Sequence, residues 1–266
     1  MPETYTHGHS AAVLRSHTWR TAENSAAYLL DSLEAGQRLL DVGCGPGTIT
    51  LDLAARVAPG PVVGIDAESV VVIAAARRAE EVGAPNVTFA TGDAYALDFP
   101  DQSFDVVHAH QLLQHLADPV AALREMRRVL RSGGILGVRD SDYAAFAWAP
   151  GDPLLDRWLE LYHQVTRHNG AEADAGRRLH GWANAAGFHE VRASSSTWTF
   201  ADPDSRAWWG GLWADRVRES SFADQARSYG FTSTAELELV AGAWQRWAAH
   251  PDGFFAVLHG EVLARR

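Results

Sequence analysis

The chain has 266 residues, 47% hydrophobic and 21% charged, which suits a globular α/β domain with room for a cap. Acidic side chains outnumber basic ones 33 to 23, and the resulting net charge of −10 argues against a surface built to grip a phosphate backbone. Every basic side chain is arginine and Cys44 is the one cysteine, which excludes Schiff-base and P-loop lysines and an intrachain disulfide.

The first 30 residues read as one or two helices, with no basic start or apolar run of a signal peptide. From residue 38, short β-like runs alternate with helical ones: RLLDVG (38–43), VVGID (62–66), VTFATGD (87–93), FDVVHA (104–109) and ILGVRD (135–140). Helical pattern fills 48–57, 68–82 and 119–130. Asp118 is placed to cap the last of these, with Pro119 at its first position and Gly133–Gly134 as its end. Beyond 140, helical pattern dominates 153–186, with Gly187 as C-cap, and a strand follows at 188–199. Helices return over 203–249, and GFFAVLHGEVLAR alternates as a last strand. Alternation of this kind predicts a mostly parallel sheet with helices on both faces. No stretch is apolar over 18 residues, so no membrane span is expected, and the single cysteine fits a reducing, cytoplasmic setting.

LLDVGCGPGT (39–48) is the most informative string. An apolar strand runs into Asp41, and Gly43, Gly45 and Gly47 precede a helix. A glycine-rich strand-to-helix turn also serves dinucleotides. Here the third glycine comes one residue early for G-x-G-x-x-G, and Pro46 removes an amide that a pyrophosphate would want. Asp41 would repel a pyrophosphate but suits an ammonium or a sulfonium, and Asp93 in ATGDA (90–94) has no standard dinucleotide use. Asp66 ends the second run, where a carboxylate can accept from both hydroxyls of a ribose.

In this order the motifs of residues 38–140 resemble those of the class I S-adenosylmethionine (SAM)-dependent methyltransferases, most nearly the UbiE-like small-molecule branch. LLDVGCGPGT is similar to motif I, VVGIDAE (62–68) to the acidic ribose loop and TGDAYALDF (91–99) to the adenine segment. FDVVHAHQLLQHL (104–116) and RVLRSGGILGVRD (128–140) are similar to the fourth- and fifth-strand motifs. The resemblance implies a Rossmann-like sheet of seven strands in order 3-2-1-4-5-7-6, the seventh antiparallel. It implies SAM as cofactor and methylation of a small molecule, at oxygen, nitrogen or carbon. Asp41, Gly43 and Gly45 would hold the methionine end, Asp66 the ribose, Ala67, Glu68, Asp93 and Ala94 the adenine, and His110 and Gln111 would lie beside the methionyl group. In these terms residues 1–35 form a helical lid, 36–202 with 250–266 the SAM-binding domain, and 203–249 a helical insertion capping the substrate.

Methyl transfer needs positioning and water exclusion, and a base only where the nucleophile starts protonated. His110, His115 and Asp140 are the candidate bases at strand ends. Tyr5, His9, His17 and Arg20 are the lid residues that could face the cofactor, with Arg20 suited to a carboxylate. His108 and His110, joined by His7, His9 and Asp140, are the one combination that could bind a metal; none is expected. Trp208, Trp209, Trp213, Trp244 and Trp247 fall within the insertion. They predict either a cap core or an aromatic pocket for an apolar acceptor, and the same rings would also suit a homodimer interface. An NAD-type oxidoreductase, or a SAM-binding protein without transfer activity, remains open at this point, and neither a membrane nor a nucleic-acid partner is expected.

Overall fold

The computed structural model describes Thr6 and residues 16–266. Five parallel strands carry the first half: β1 (Leu39–Val42), β2 (Val62–Asp66), β3 (Val87–Thr91), β4 (Phe104–His110) and β5 (Leu130–Ser141). A short β6 (Ala147–Ala149), then β7 (His189–Phe200) and β8 (Phe254–Arg265), complete the sheet. Its order is β3-β2-β1-β4-β5-β8, with β7 on the far edge of β8. β8 runs antiparallel to β5, pairing Ile135 with Arg265 and Ser141 with His259. Counting β7 and β8 as sixth and seventh, this is the expected 3-2-1-4-5-7-6 arrangement. The sequence reading missed β6, which continues the β5 edge by pairing Ala147–Ala149 with Ala256–Phe254. Three residues without alternation leave no periodic signal.

The strands β1, β4 and β5 are buried nearly throughout, as expected where helices cover both faces. Two short helices, α1 (Ala22–Ser25) and α2 (Ala27–Leu30), lead into β1. They are followed by α3 (Thr48–Val57), α4 (Ser69–Val82) and α5 (Pro119–Val129). Asp118 caps α5 through the Ala121 amide at 2.9 Å, with Pro119 in the first turn. The Gly133–Gly134 pair does not end that helix. Leu130 is its C-cap and already pairs with Phe104, and Gly133 turns the chain inside an irregular start of β5 at φ +74°.

The second half contributes α6 (Pro153–His168) and α7 (Leu179–Ala185), so the 153–186 pattern is two helices broken around Gly170. Residues 203–249 form three helices, α8 (Pro203–Glu219), α9 (Ser221–Ser228) and α10 (Thr234–Ala249). A core of their own unites them with α6 and the outer strands. Trp158, Trp213 and Trp244 are wholly buried, with Trp158 edge-on to both of the others at centroid distances of 4.6 and 4.9 Å. The α8–α10 crossing is close at Gly210, where a Cβ would lie 2.7 Å from the Ala248 methyl group.

Candidate active site

The carboxyl ends of β1, β2 and β4 open onto one cavity of about 770 Å³, roofed by residues 16–20 and by α8. Open α/β sheets bind ligands at this edge. The turn after β1 is shaped by its glycines: Gly47 sits at φ +76°, and a Cβ there would come within 2.7 Å of the Phe89 ring. Gly45, by contrast, faces open cavity, since a Cβ would meet nothing within 4 Å. The amides of this turn are used inside the chain. Gly43 and Cys44 donate to the Ile65 carbonyl at 2.8 and 2.9 Å, Gly45 to Asp66 Oδ2 at 3.0 Å and Gly47 to the Cys44 carbonyl at 3.1 Å. The turn therefore presents a bare backbone surface rather than the amide cradle a pyrophosphate needs.

The acidic side chains are fixed around this surface. Asp66 Oδ1 accepts from the Glu68 amide at 3.1 Å, so its carboxylate is clamped between two backbone donors at the tip of β2. Asp93 Oδ1 accepts from the Tyr95 amide at 2.9 Å. Asp41, 2% exposed, accepts from Thr50 Oγ1 at 2.5 Å and bonds His108 Nδ1 at 2.7 Å. Two such partners hold the carboxylate in one orientation at the floor of the cavity. Ala67, Ala94, Gly43 and Gln111 complete this half of the wall. Carboxylates set for hydroxyl and ammonium donors, around bare backbone, fit a nucleoside joined to an amino acid.

The residues expected at the cofactor (Arg20, Asp41, Gly43, Gly45, Asp66, Ala67, Glu68, Asp93, Ala94, His110 and Gln111) all line this one cavity. The candidate bases separate. His110 lines the cavity, and neither ring nitrogen has a partner among the described residues. Burial and the charges of Arg20 and Arg139 push its pKa well below the ordinary value, so the ring is neutral. His115 also lines the cavity, but its Nε2 lies 2.9 Å from the Gln114 side-chain Nε2, and burial followed by Arg20 pushes its pKa down to about 3. The described cavity wall does not include Asp140. That carboxyl is buried beneath the turn after β4, where Oδ1 accepts from the Gln114 amide at 3.1 Å.

Of the lid residues, His17 and Arg20 line the cavity, while Tyr5 and His9 lie outside the described residues, as does His7. Among the described residues no group of three or more His, Cys, Asp or Glu side chains is placed to hold a metal. Arg177 forms a two-pronged pair with Asp142.

A methyltransferase-domain family model matches residues 33–187. This chain belongs to the methyltransferase family. An uncharacterized methyltransferase of Schizosaccharomyces pombe is 35% identical, covering 98% of this chain and 96% of its own. A relative from Aspergillus luteorubrus, named "Probable methyltransferase ltbC", is 29% identical over 98% of this chain and 96% of its own. Among solved structures, the YcgJ protein of Bacillus subtilis shares the fold, with a TM-score of 0.61 at 22% identity, over 92% of this chain and 98% of that one. The protein is thus a SAM-dependent methyltransferase acting on a small molecule, and the dinucleotide alternative is set aside.

The sequence reading missed several residues of this methyltransferase's cavity. Trp198 on β7 faces it, as do Trp19, Phe146 and Arg216. Trp198 bonds the Asn24 carbonyl through Nε1 at 2.6 Å, tying the N-terminal helices to the sheet edge. Alternation in β7 could have placed Trp198 on a sheet face, but which face required knowing where residues 16–30 run. Trp208 and Trp209, adjacent on α8, both line the cavity.

Proposed function

We propose that this methyltransferase acts on a planar, largely apolar acceptor held between the cofactor edge of the sheet and the helical insertion. The observation that carries this reading is the composition of one wall. Tyr143, Phe146, Trp198, Trp208, Trp209 and Trp213 line the same cavity as Asp41, Asp66 and Asp93. Rings supply contact area at low entropic cost and exclude water from the reacting atoms.

In this reading Asp66 takes the ribose hydroxyls, Asp93 and Ala94 the adenine, and Asp41 the ammonium group. Arg20 takes the carboxylate, and Gly43 and Gly45 let the ligand approach the backbone. SAM supplies a methyl group activated by its sulfonium. The chain's own task is to align the acceptor, exclude water and receive any proton the acceptor loses. His110 is the side chain placed for that proton, because its ring is neutral, lines the cavity and keeps both nitrogens without a described partner. His115 and Asp140 are less suited, one with its Nε2 already beside the Gln114 side-chain amide, the other outside the described cavity wall. Residues 1–35 act as the lid and 203–249 as the cap.

The test uses S-adenosylhomocysteine release with aromatic acceptors bearing hydroxyl, amino or activated carbon nucleophiles, against aliphatic acceptors of matched size. An aromatic acceptor is expected to turn over, and Trp208→Ala should lower its kcat/KM about tenfold or more while leaving S-adenosylhomocysteine affinity unchanged. Preference for the aliphatic set, or an unchanged kcat/KM in the variant, would defeat the reading.

A further inference from the structure

The side-chain amide of Gln111 has only one orientation open to it. Arg20 Nη2, which can only donate, lies 2.6 Å from one terminus, so that terminus is the oxygen. The amide nitrogen then faces Ser141 Oγ at 2.8 Å and His259 Nε2 at 2.8 Å, one hydrogen for each. His259 can accept there only if Nε2 carries a lone pair, so its ring is neutral with the proton on Nδ1. The surroundings enforce that form, because burial and the charges of Arg139 and Arg20 push its pKa well below the ordinary value. The backbone is equally fixed. Gln111 stands at φ +50°, a left-handed conformation uncommon for a side-chain-bearing residue, and its N–H donates to the Arg139 carbonyl at 2.7 Å. Ser141 and His259 are register partners across β5 and β8, so the two acceptors are presented side by side by the sheet.

We propose that His259, aided by Ser141, is a positioning residue of the cofactor pocket: it holds the Gln111 amide with its oxygen toward Arg20 and thereby fixes that guanidinium in the cavity wall. Without the acceptor at His259 the amide can turn over and present its NH₂ group to the guanidinium, donor against donor. The proposal rests on the reading that Arg20 meets the cofactor's carboxylate. It assigns a role in cofactor binding to a strand far along the chain from the family's motifs.

Calorimetry with two nucleosides tests it. S-Adenosylhomocysteine carries the amino-acid carboxylate, and 5′-methylthioadenosine does not. Arg20→Met should weaken the first about tenfold and leave the second within about twofold. His259→Phe should do the same, at about fivefold or more on the first nucleoside alone. His259→Gln, which keeps an acceptor near the Nε2 position, should recover most of that loss. In a Gln111→Ala background, His259→Phe should add nothing. If the Phe variant fails to fold, His259→Asn, whose side chain ends short of Gln111, takes its place with the same expectations. Wild-type affinity in His259→Phe beside a weakened Arg20→Met overturns the positioning role and leaves the Arg20 reading standing. Unchanged affinity in Arg20→Met overturns both. Equal loss for the two nucleosides, or an additive effect in the Gln111→Ala background, shows a general packing role and also overturns the proposal.

Discussion

Replacing Asp140 by Asn should flatten the alkaline side of the methyltransferase's stability profile. Burial pushes the Asp140 carboxyl up to about 8, and the backbone amides of Gln114 and Leu113 together with Arg139 and Arg20 only partly oppose it. Between about pH 4 and 8 the folded chain therefore keeps a proton that the unfolded chain has released, and stability falls as pH rises, by up to about 1.4 kcal/mol per pH unit. His110, His115 and His259 act in the opposite sense. Their folded pKa values are lowered, so below about pH 6.5 the unfolded chain takes up protons the folded chain refuses, and stability falls on acidification. The two effects leave a maximum near neutrality. From pH 6.5 to 8 the Asp140 effect amounts to roughly 2 kcal/mol, or about 4–8 °C in Tm for a chain of this size. Asn keeps the Oδ1 acceptor for the Gln114 amide and carries no titrating proton. Thermal melts at half-unit steps from pH 5 to 9 should show the wild type losing Tm above pH 6.5 while Asp140→Asn holds. Below pH 6 both should fall, through the histidines. Parallel curves over the whole range would refute the assignment of a raised carboxyl to Asp140.

Two further outcomes follow from the cofactor edge. Asp66→Ala should weaken S-adenosylhomocysteine by about 1.5–3 kcal/mol in calorimetry, the worth of a charged hydrogen bond, while a melt shows the chain still folded. Gly47→Ala should fail to give a stable protein in thermal melts, because the residue combines φ +76° with a Cβ position 2.7 Å from Phe89; a Tm within a few degrees of wild type would show that Phe89 gives way.

The half of the site that was legible in the sequence is the half built by local rules. A strand that ends in an acid, a turn that needs glycine and a helix that follows are all set within a dozen residues, and Asp41, Gly45 and Asp66 fall where their strands end. The partners of those residues were not legible. Thr50 sits in the first turn of α3 and His108 inside β4, and nothing in either segment announces that both converge on Asp41. His108 and His110 share a strand face and both line the cavity, yet His108 has a carboxylate partner and His110 has none among the described residues. Asp140 shows the limit from the other side. Ending β5 is a fair reason to expect a carboxyl in the cavity, but the chain turns after β4 so that the Gln114 amide captures it below the floor.

The insertion is where sequence order misleads most. Residues 203–249 look separable, as a helical block between two strands, and a deletion would then be a clean test of a cap. The packing argues against that. Trp213 and Trp244 bury Trp158 of α6, Phe255 of β8 packs among the same rings, and Trp209 lies flat on Phe200 of β7 at 4.4 Å. Removing the block would uncover α6 and the outer strands as well as the cavity, at several kcal/mol for each large ring exposed. The same tryptophans are buried within one chain, so they give no argument for a dimer interface. Trp209 and Trp213 belong at once to this core and to the cavity wall. The aromatic wall of the cavity is therefore the inner surface of a packed core. Substitutions at those two positions carry a stability cost, whereas Trp208, only partly buried beside the same cavity, is the ring that can be altered with the core left intact.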